Sequence, residues 1–142
     1  MRVLIVADDA ALADLIKLSL RCGFYEKGKR LARTGGRITD GLEVEHVLRP
    51  EDALRFLAET SEHVDVILAD LQADPRDGLG FLETCRGQYR DKYGEIIALA
   101  ERRRVPDAQS CLEAGVKEFI FKPFTPQELT AHVLANWKNG PR

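Results

Sequence analysis

The sequence has no apolar run approaching the ~18 residues that a membrane-spanning helix needs. Its N-terminus passes straight into Arg2-Val-Leu-Ile-Val6 without the layout of a signal peptide. Both absences predict a cytoplasmic protein with no membrane contact. Cysteine is scarce: Cys22, Cys85 and Cys111 are odd in number, widely spaced and form no C-x-x-C pair. That argues against a disulfide framework or a zinc site and predicts buried, reduced thiols. Neither sign of charge dominates. With 21 Lys and Arg against 23 Asp and Glu, a net charge of -2, the chain carries no overall signal for nucleic acid. His46, His63 and His132 share no spacing that would suggest a metal site.

What is present is an ordinary globular composition, 44% apolar and 31% charged over 142 residues, enough for one domain with a substantial core. Short β-rich runs alternate five times with longer segments of helical period, which predicts a parallel sheet covered by helices on both faces. The first strand is Val3-Leu-Ile-Val-Ala7. The helix after it places Leu12, Leu15, Ile16, Ser19 and Leu20 on one face, with Gly23 as its stop signal. The second strand spans residues 42–48 and alternates as an edge strand does. Pro50 opens the second helix, which buries Ala53, Leu54, Phe56 and Leu57. The third strand, from Val64, ends at Asp70. The third helix follows the turn-rich Asp74-Pro-Arg-Asp-Gly78 and carries Leu79, Phe81, Leu82 and Cys85 inward. Strand four covers residues 96–100. Helix four runs through Ala108, Cys111, Leu112 and Ala114 to a stop at Gly115, and strand five leads to Lys122. Thr125 is the expected N-cap of the last helix, with Pro126 in its first turn and Leu129, Val133, Leu134 and Trp137 on its apolar face.

One segment breaks the rhythm. Between helix one and strand two, residues 24–41 hold Lys27, Lys29, Arg30, Arg33 and Arg37 among four glycines, too long a stretch for an ordinary connection. It reads as a basic, glycine-rich insertion: a solvated loop, an extension of helix one, or an arm for an acidic partner. Phe24 and Tyr25 at its edge are its only aromatics for stacking on bases, so nucleic acid is not an expected partner.

The chemistry gathers at strand ends. Open α/β sheets bind ligands at the carboxyl ends of their strands, beside the point where strand order reverses. In the five-stranded order 2-1-3-4-5 that point lies between strands one and three, which end at Asp8-Asp9 and Asp70. Carboxylates gathered there repel each other unless a cation intervenes, and Mg²⁺ accepts one or two carboxylates while keeping waters for an incoming phosphate. Lys122 supplies a compensating point charge. Either Asp70 or Lys122 alone reads equally well as a capping acid or a surface ion-pair partner; their joint placement at strand ends favours a site for phosphoryl chemistry.

Three motifs in this order resemble the receiver domain of two-component response regulators, the superfamily of the bacterial chemotaxis regulator. They are Val66-Ile-Leu-Ala-Asp70, then Asp77-Gly78, then Gly115-Val-Lys-Glu-Phe-Ile-Phe-Lys-Pro-Phe124. The resemblance implies a flavodoxin-like doubly wound (βα)5 fold and a single receiver domain over residues 1–142, the basic insertion included. It implies that Asp70 accepts a phosphoryl group from a sensor histidine kinase, a phosphotransfer protein or a small phosphodonor. Mg²⁺ would be held by Asp70, Asp8 and the backbone carbonyl of Gln72, with Asp9 secondary, and Lys122 would contact the phosphoryl group. Lys122-Pro123 would be cis, and Phe119 would be the aromatic that rotates inward on activation. Such a domain is a phosphoacceptor rather than an enzyme, with at most self-catalysed phosphoryl transfer and autodephosphorylation. A downstream partner or a second copy would dock on the face of helix four, strand five and helix five. The chain ends at Asn139-Gly-Pro-Arg142 without an output domain, as a stand-alone receiver or the first piece of a longer protein.

Two departures from the family pattern stand out. The helix-one pattern aligns best when Asp8 takes the second of two acidic positions, which leaves Ala7 in place of the outer acid. At the end of strand four, Ala100 stands where the family carries a Thr or Ser, and no hydroxyl occurs between Ile96 and Pro106. A methyl group cannot donate the hydrogen bond that draws the switch inward, so a weakened or rewired switch is expected. The alternative is a phosphorylation-independent pseudo-receiver that acts as a protein-interaction module.

Overall fold

A computed structural model describes residues 1–33, 42–71, 78–101 and 108–136, with backbone alone for 24–33 and 108. Five strands, β1 (Arg2–Val6), β2 (Glu43–Val47), β3 (Val64–Asp70), β4 (Tyr93–Glu101) and β5 (Val116–Lys122), alternate with five helices. These are α1 (Ala10–Arg33), α2 (Pro50–Glu59), α3 (Leu79–Gln88), α4 (Ala108–Glu113) and α5 (Pro126–Ala135). All strand pairs are parallel and the order is β2-β1-β3-β4-β5. This is the parallel sheet expected from the alternation and the flavodoxin-like order implied by the resemblance.

The period of two along each strand divides the core between the two faces of the sheet. Leu4, Val6, Ile67, Ala69, Ile96, Ala98 and Ala100 pack with Ala53 and Leu57 of α2, Phe81, Leu82 and Cys85 of α3, and Cys111 of α4. Val3, Ile5, Ala7, Val66, Leu68, Ile97, Leu99 and Ile120 pack on the other face with Ala13, Ile16 and Leu20 of α1 and Leu129 and Val133 of α5. Burying a Leu or Ile side chain fully contributes about 1.5–3 kcal/mol, so these two clusters dominate the stability of the sheet. α5 begins as expected: the Thr125 hydroxyl accepts from the Glu128 N–H at 3.1 Å, and the Glu128 carboxylate accepts from the Thr125 N–H.

α1 departs from expectation. Gly23 does not stop it; the helix continues to Arg33, so the first ten residues of the basic segment extend the helix, while 34–41 lie outside the described residues. The reason for glycine at 23 is a close approach of α5. A Cβ there would stand 2.0 Å from Cγ2 of Thr130, and the Thr130 hydroxyl donates to the Ser19 carbonyl at 3.0 Å. Leu15, expected in the core, is 43% exposed, because it lies more than a quarter-turn from the buried line of Ala13, Ile16 and Leu20. Leu112 on α4 is exposed for a similar reason, its neighbour Cys111 taking the inward position. Of the three thiols only Cys85 and Cys111 are buried; Cys22 is exposed on the outer face of α1.

Candidate functional site

β3 runs buried from Val66 to its last residue, and Asp70, only 5% exposed, is carried to the carboxyl edge of the sheet. There its Oδ2 accepts from Nζ of Lys122 at 2.8 Å. β4 lies between their two strands, with Leu99 level with Asp70 and Glu101 level with Lys122. The lysine therefore reaches across a full strand to meet the carboxylate. Burying a carboxylate costs several kcal/mol unless it is paired and hydrogen-bonded; Lys122 supplies both kinds of compensation. The Lys122–Pro123 peptide is cis, as the resemblance implied.

Asp8 follows β1, the strand that lies beside β3. Val6 is level with Ala69, so Asp70 stands one residue and Asp8 two residues past that level. Ala7 anchors the turn that presents Asp8. Its N–H donates to the Val47 carbonyl at 3.1 Å, and its own carbonyl lies 2.8 Å from Nε2 of His46, which donates when protonated there. The Ala7 side chain is fully buried against the α1 and α5 side of the core. Asp8 itself is exposed. Asp9, expected as a secondary metal ligand, caps α1: its Oδ1 accepts from the N–H groups of Ala11 at 2.9 Å and Leu12 at 3.3 Å. Gln72 and Asp77 lie outside the described residues. Gly78 adopts φ +79° at the start of α3, and a Cβ there would stand 2.6 Å from Cδ2 of Leu71, so the turn behind Asp70 requires glycine.

Among the described residues, no group of three or more His, Cys, Asp or Glu side chains is placed to hold a metal. Of the expected ligands only the side chains of Asp8 and Asp70 fall among the described residues, a donor set that would suit a cation keeping several waters, such as Mg²⁺, and not a closed all-protein cage.

Ala100 is fully buried and faces the α2, α3 and α4 side of the core, one residue past the level of Asp70. Phe119 packs half-buried against the same cluster, its ring stacked on Phe121 with centroids 5.8 Å apart. The sequence reading missed His46 as the anchor of the β1 turn. The one signal available was its place in an alternating edge strand beside the first strand end.

The fold and the site together define an open, doubly wound signalling domain with a carboxylate–lysine pair at its switch edge. The chain belongs to the response regulator receiver domain family, whose model matches residues 3–134. It is 30% identical over 139 residues to the DNA-binding response regulator MtrA of Mycobacterium tuberculosis, covering 98% of this chain and 51% of that protein. It is 28% identical to an uncharacterized transcriptional regulatory protein of Bacillus subtilis, covering 94% of this chain and 48% of the relative. The chain thus spans about half the length of the curated relatives it matches. In fold it superposes on the chemotaxis response regulator CheY4 of Vibrio cholerae with a TM-score of 0.73 at 21% identity, covering 95% of this chain and 97% of that one. The receiver domain of a Pseudomonas aeruginosa sensor histidine kinase superposes with a TM-score of 0.69 at 25% identity, covering 96% of this chain and 95% of that one. Its structure has a magnesium ion coordinated in the active-site cleft. Receiver domains of two-component systems are phosphoacceptors rather than enzymes in their own right, bind Mg²⁺, and interact with histidine kinases or phosphotransfer proteins. Among the described residues, no helix is long and apolar enough to cross a membrane.

Proposed function

We propose that this chain is a phosphoacceptor of a two-component pathway, with Asp70 as the phosphorylated residue. The observation that carries this reading is the buried Asp70 held at 2.8 Å by Lys122 at the switch edge of the sheet. An Asp70 oxygen attacks the phosphorus of a phosphohistidine or a small phosphodonor, the bond from phosphorus to the donor breaks, and an aspartyl phosphate forms. Lys122 already sits on one carboxylate oxygen and compensates the charge that the phosphoryl oxygens bring. Asp8, Asp70 and the main-chain carbonyl of Gln72 would hold Mg²⁺, which when bound supplies further positive charge for the phosphoryl group. Asp9 is committed to its helix cap and contributes at most a long-range charge. The α4, β5 and α5 face would serve the downstream partner, in the cytoplasm.

Incubation with Mg²⁺ and acetyl phosphate should add one phosphoryl group by intact mass, and Asp70→Asn should abolish the adduct. A wild-type protein that never gains the adduct would sink the assignment.

A second reading rests on Ala100. With a buried methyl where the family places a hydroxyl, the domain would bind its partner regardless of phosphorylation. Equal partner affinity for wild type and Asp70→Asn supports that reading; a clear difference removes it.

A further inference from the structure

On α1 the side chains facing away from the sheet are not those of an ordinary solvated helix. Leu15 is 43% and Leu18 61% exposed, and Ala11 and Cys22 are exposed on the same line. Residues 11, 15, 18 and 22 are spaced four, three and four apart, the seam spacing of a helix that packs against another helix. They lie opposite Ala13, Ile16 and Leu20, which α1 buries in its own core.

Two charges flank this seam. Asp14 and Arg21 are both exposed, and neither forms an ion pair among the described residues. Seven residues, about 10.5 Å of helix rise, separate them, too far for pairing within one helix. A second α1 running antiparallel solves both problems in one register. When Leu15 of one copy meets Leu18 of the other, twice by symmetry, Ala11 meets Cys22, and Asp14 of each copy falls beside Arg21 of the other. The parallel alignment puts the flanking charges of the two copies on opposite sides of the seam, so Asp14 of one copy does not meet Arg21 of the other and both charges stay unpaired.

We propose that the outer face of α1 is the contact of a twofold-symmetric, antiparallel dimer of this chain. The face is self-complementary in apolar spacing and in charge, as a twofold interface must be. It points away from the sheet, so the two domains lie on opposite sides of the helix pair. Contact over three helical turns is well below the standard interface of ~1,600 Å², so the dimer is weak, with a dissociation constant on the order of 10–100 µM.

Sedimentation velocity from about 5 to 500 µM should show dimer growing with concentration. Leu18→Glu should leave a monomer with an unchanged urea midpoint, since that side chain is outside the core. Asp14→Arg and Arg21→Asp should each weaken the dimer about three- to tenfold, and the double exchange should restore it. With copper phenanthroline and oxygen as the oxidant, Ala11→Cys should form a rapid disulfide with Cys22 of the second copy. Cys22 alone should not cross-link, because in this register the two Cys22 residues lie about 16 Å apart along the axis. A monomer at all concentrations, a dimer indifferent to Leu18→Glu, or preferential cross-linking through Cys22 alone would each overturn the proposal. A protein that stays monomeric but loses phosphoryl uptake from its donor protein on Leu18→Glu would overturn it too, by giving the face to that donor.

Discussion

Nζ of Lys122 and Oδ2 of Asp70 stand 2.8 Å apart although their strands are not neighbours. The Asp70 side chain is 3% exposed and the Lys122 side chain 22%, so the two partners depend on the contact unequally. Lys122 can turn its ammonium group toward water when the carboxylate is gone. Asp70 has no such exit.

Removing the lysine should therefore cost more than neutralising the acid. Lys122→Met should destabilise the fold by about 2–4 kcal/mol, since a buried carboxylate loses its compensating charge. Asp70→Asn should cost about 1 kcal/mol or less. Millimolar Mg²⁺ should recover more stability in Lys122→Met than in wild type, the cation taking over the role of the ammonium. Urea denaturation with and without Mg²⁺ measures all three, and equal losses in the two variants would contradict the asymmetry.

Gly23 makes the contact of α1 with α5 possible. Alanine gains about 1 kcal/mol of helix propensity over glycine, yet its Cβ would meet Cγ2 of Thr130 at 2.0 Å, an overlap that costs more than propensity returns. Gly23→Ala should lose about 1–2 kcal/mol net. Thr130→Ser removes that methyl group and keeps the hydroxyl bond to Ser19, so Gly23→Ala should cost less in the Thr130→Ser background, where only the contacts of Cβ and Oγ1 at 3.0 Å remain. A double-mutant cycle by urea denaturation gives the coupling; a coupling near zero would show that the helices part without strain.

The same glycine shows where sequence reading reached its limit. Strand order and the meeting of Asp70 with Lys122 were legible, because buried parallel strands appear as apolar runs and their polar ends mark the carboxyl edge. The length of α1 was not. Gly23 carries the usual signature of a helix stop, and its actual cause is Thr130, 107 positions away in the chain. The helix cap made by Asp9 was not legible for a related reason, since a carboxylate at a helix start serves a cap or a metal site with the same residue type. The beginning of β4 at Tyr93-Gly94-Glu95 was hidden because Glu95, although charged, is buried level with Val66.

Ala100→Thr tests whether the switch lacks only a hydroxyl. The larger side chain enters a fully buried position in the cluster against which Phe119 packs, so the unphosphorylated protein should lose about 1–3 kcal/mol. With Mg²⁺ and beryllofluoride, the hydroxyl should supply a charge-assisted bond of about 1.5–3 kcal/mol. The ligand should then stabilise Ala100→Thr more than wild type by that amount. Ala100→Val, of the same shape without the donor, should show the loss and not the gain. Equal gains in the Thr and Val variants would assign the effect to packing.

Alkali should weaken the core through Cys85. Burial pushes this thiol up from its ordinary value of 9.0 to about 12, so between those values the unfolded chain gives up a proton that the folded chain keeps. The stabilisation is fully present below pH 9 and is lost as pH rises toward 12. At about pH 10.5 the loss should be roughly 2 kcal/mol relative to neutral pH. Tyr93 acts in the same direction: burial raises its phenol, and the neighbouring Cys85 charge raises it further. Cys85→Ala should lose some stability at pH 7 from the small space it leaves, but its stability should fall less steeply above pH 9 than that of wild type. The comparison of slopes separates this thiol from the lysines and tyrosines that titrate in both proteins. The same burial predicts that a thiol reagent at pH 8 modifies Cys22 at once and reaches Cys85 and Cys111 only on unfolding. Modification of Cys85 at the rate of Cys22, or parallel pH slopes in the two proteins, would mean that α3 opens far more readily than its packing implies.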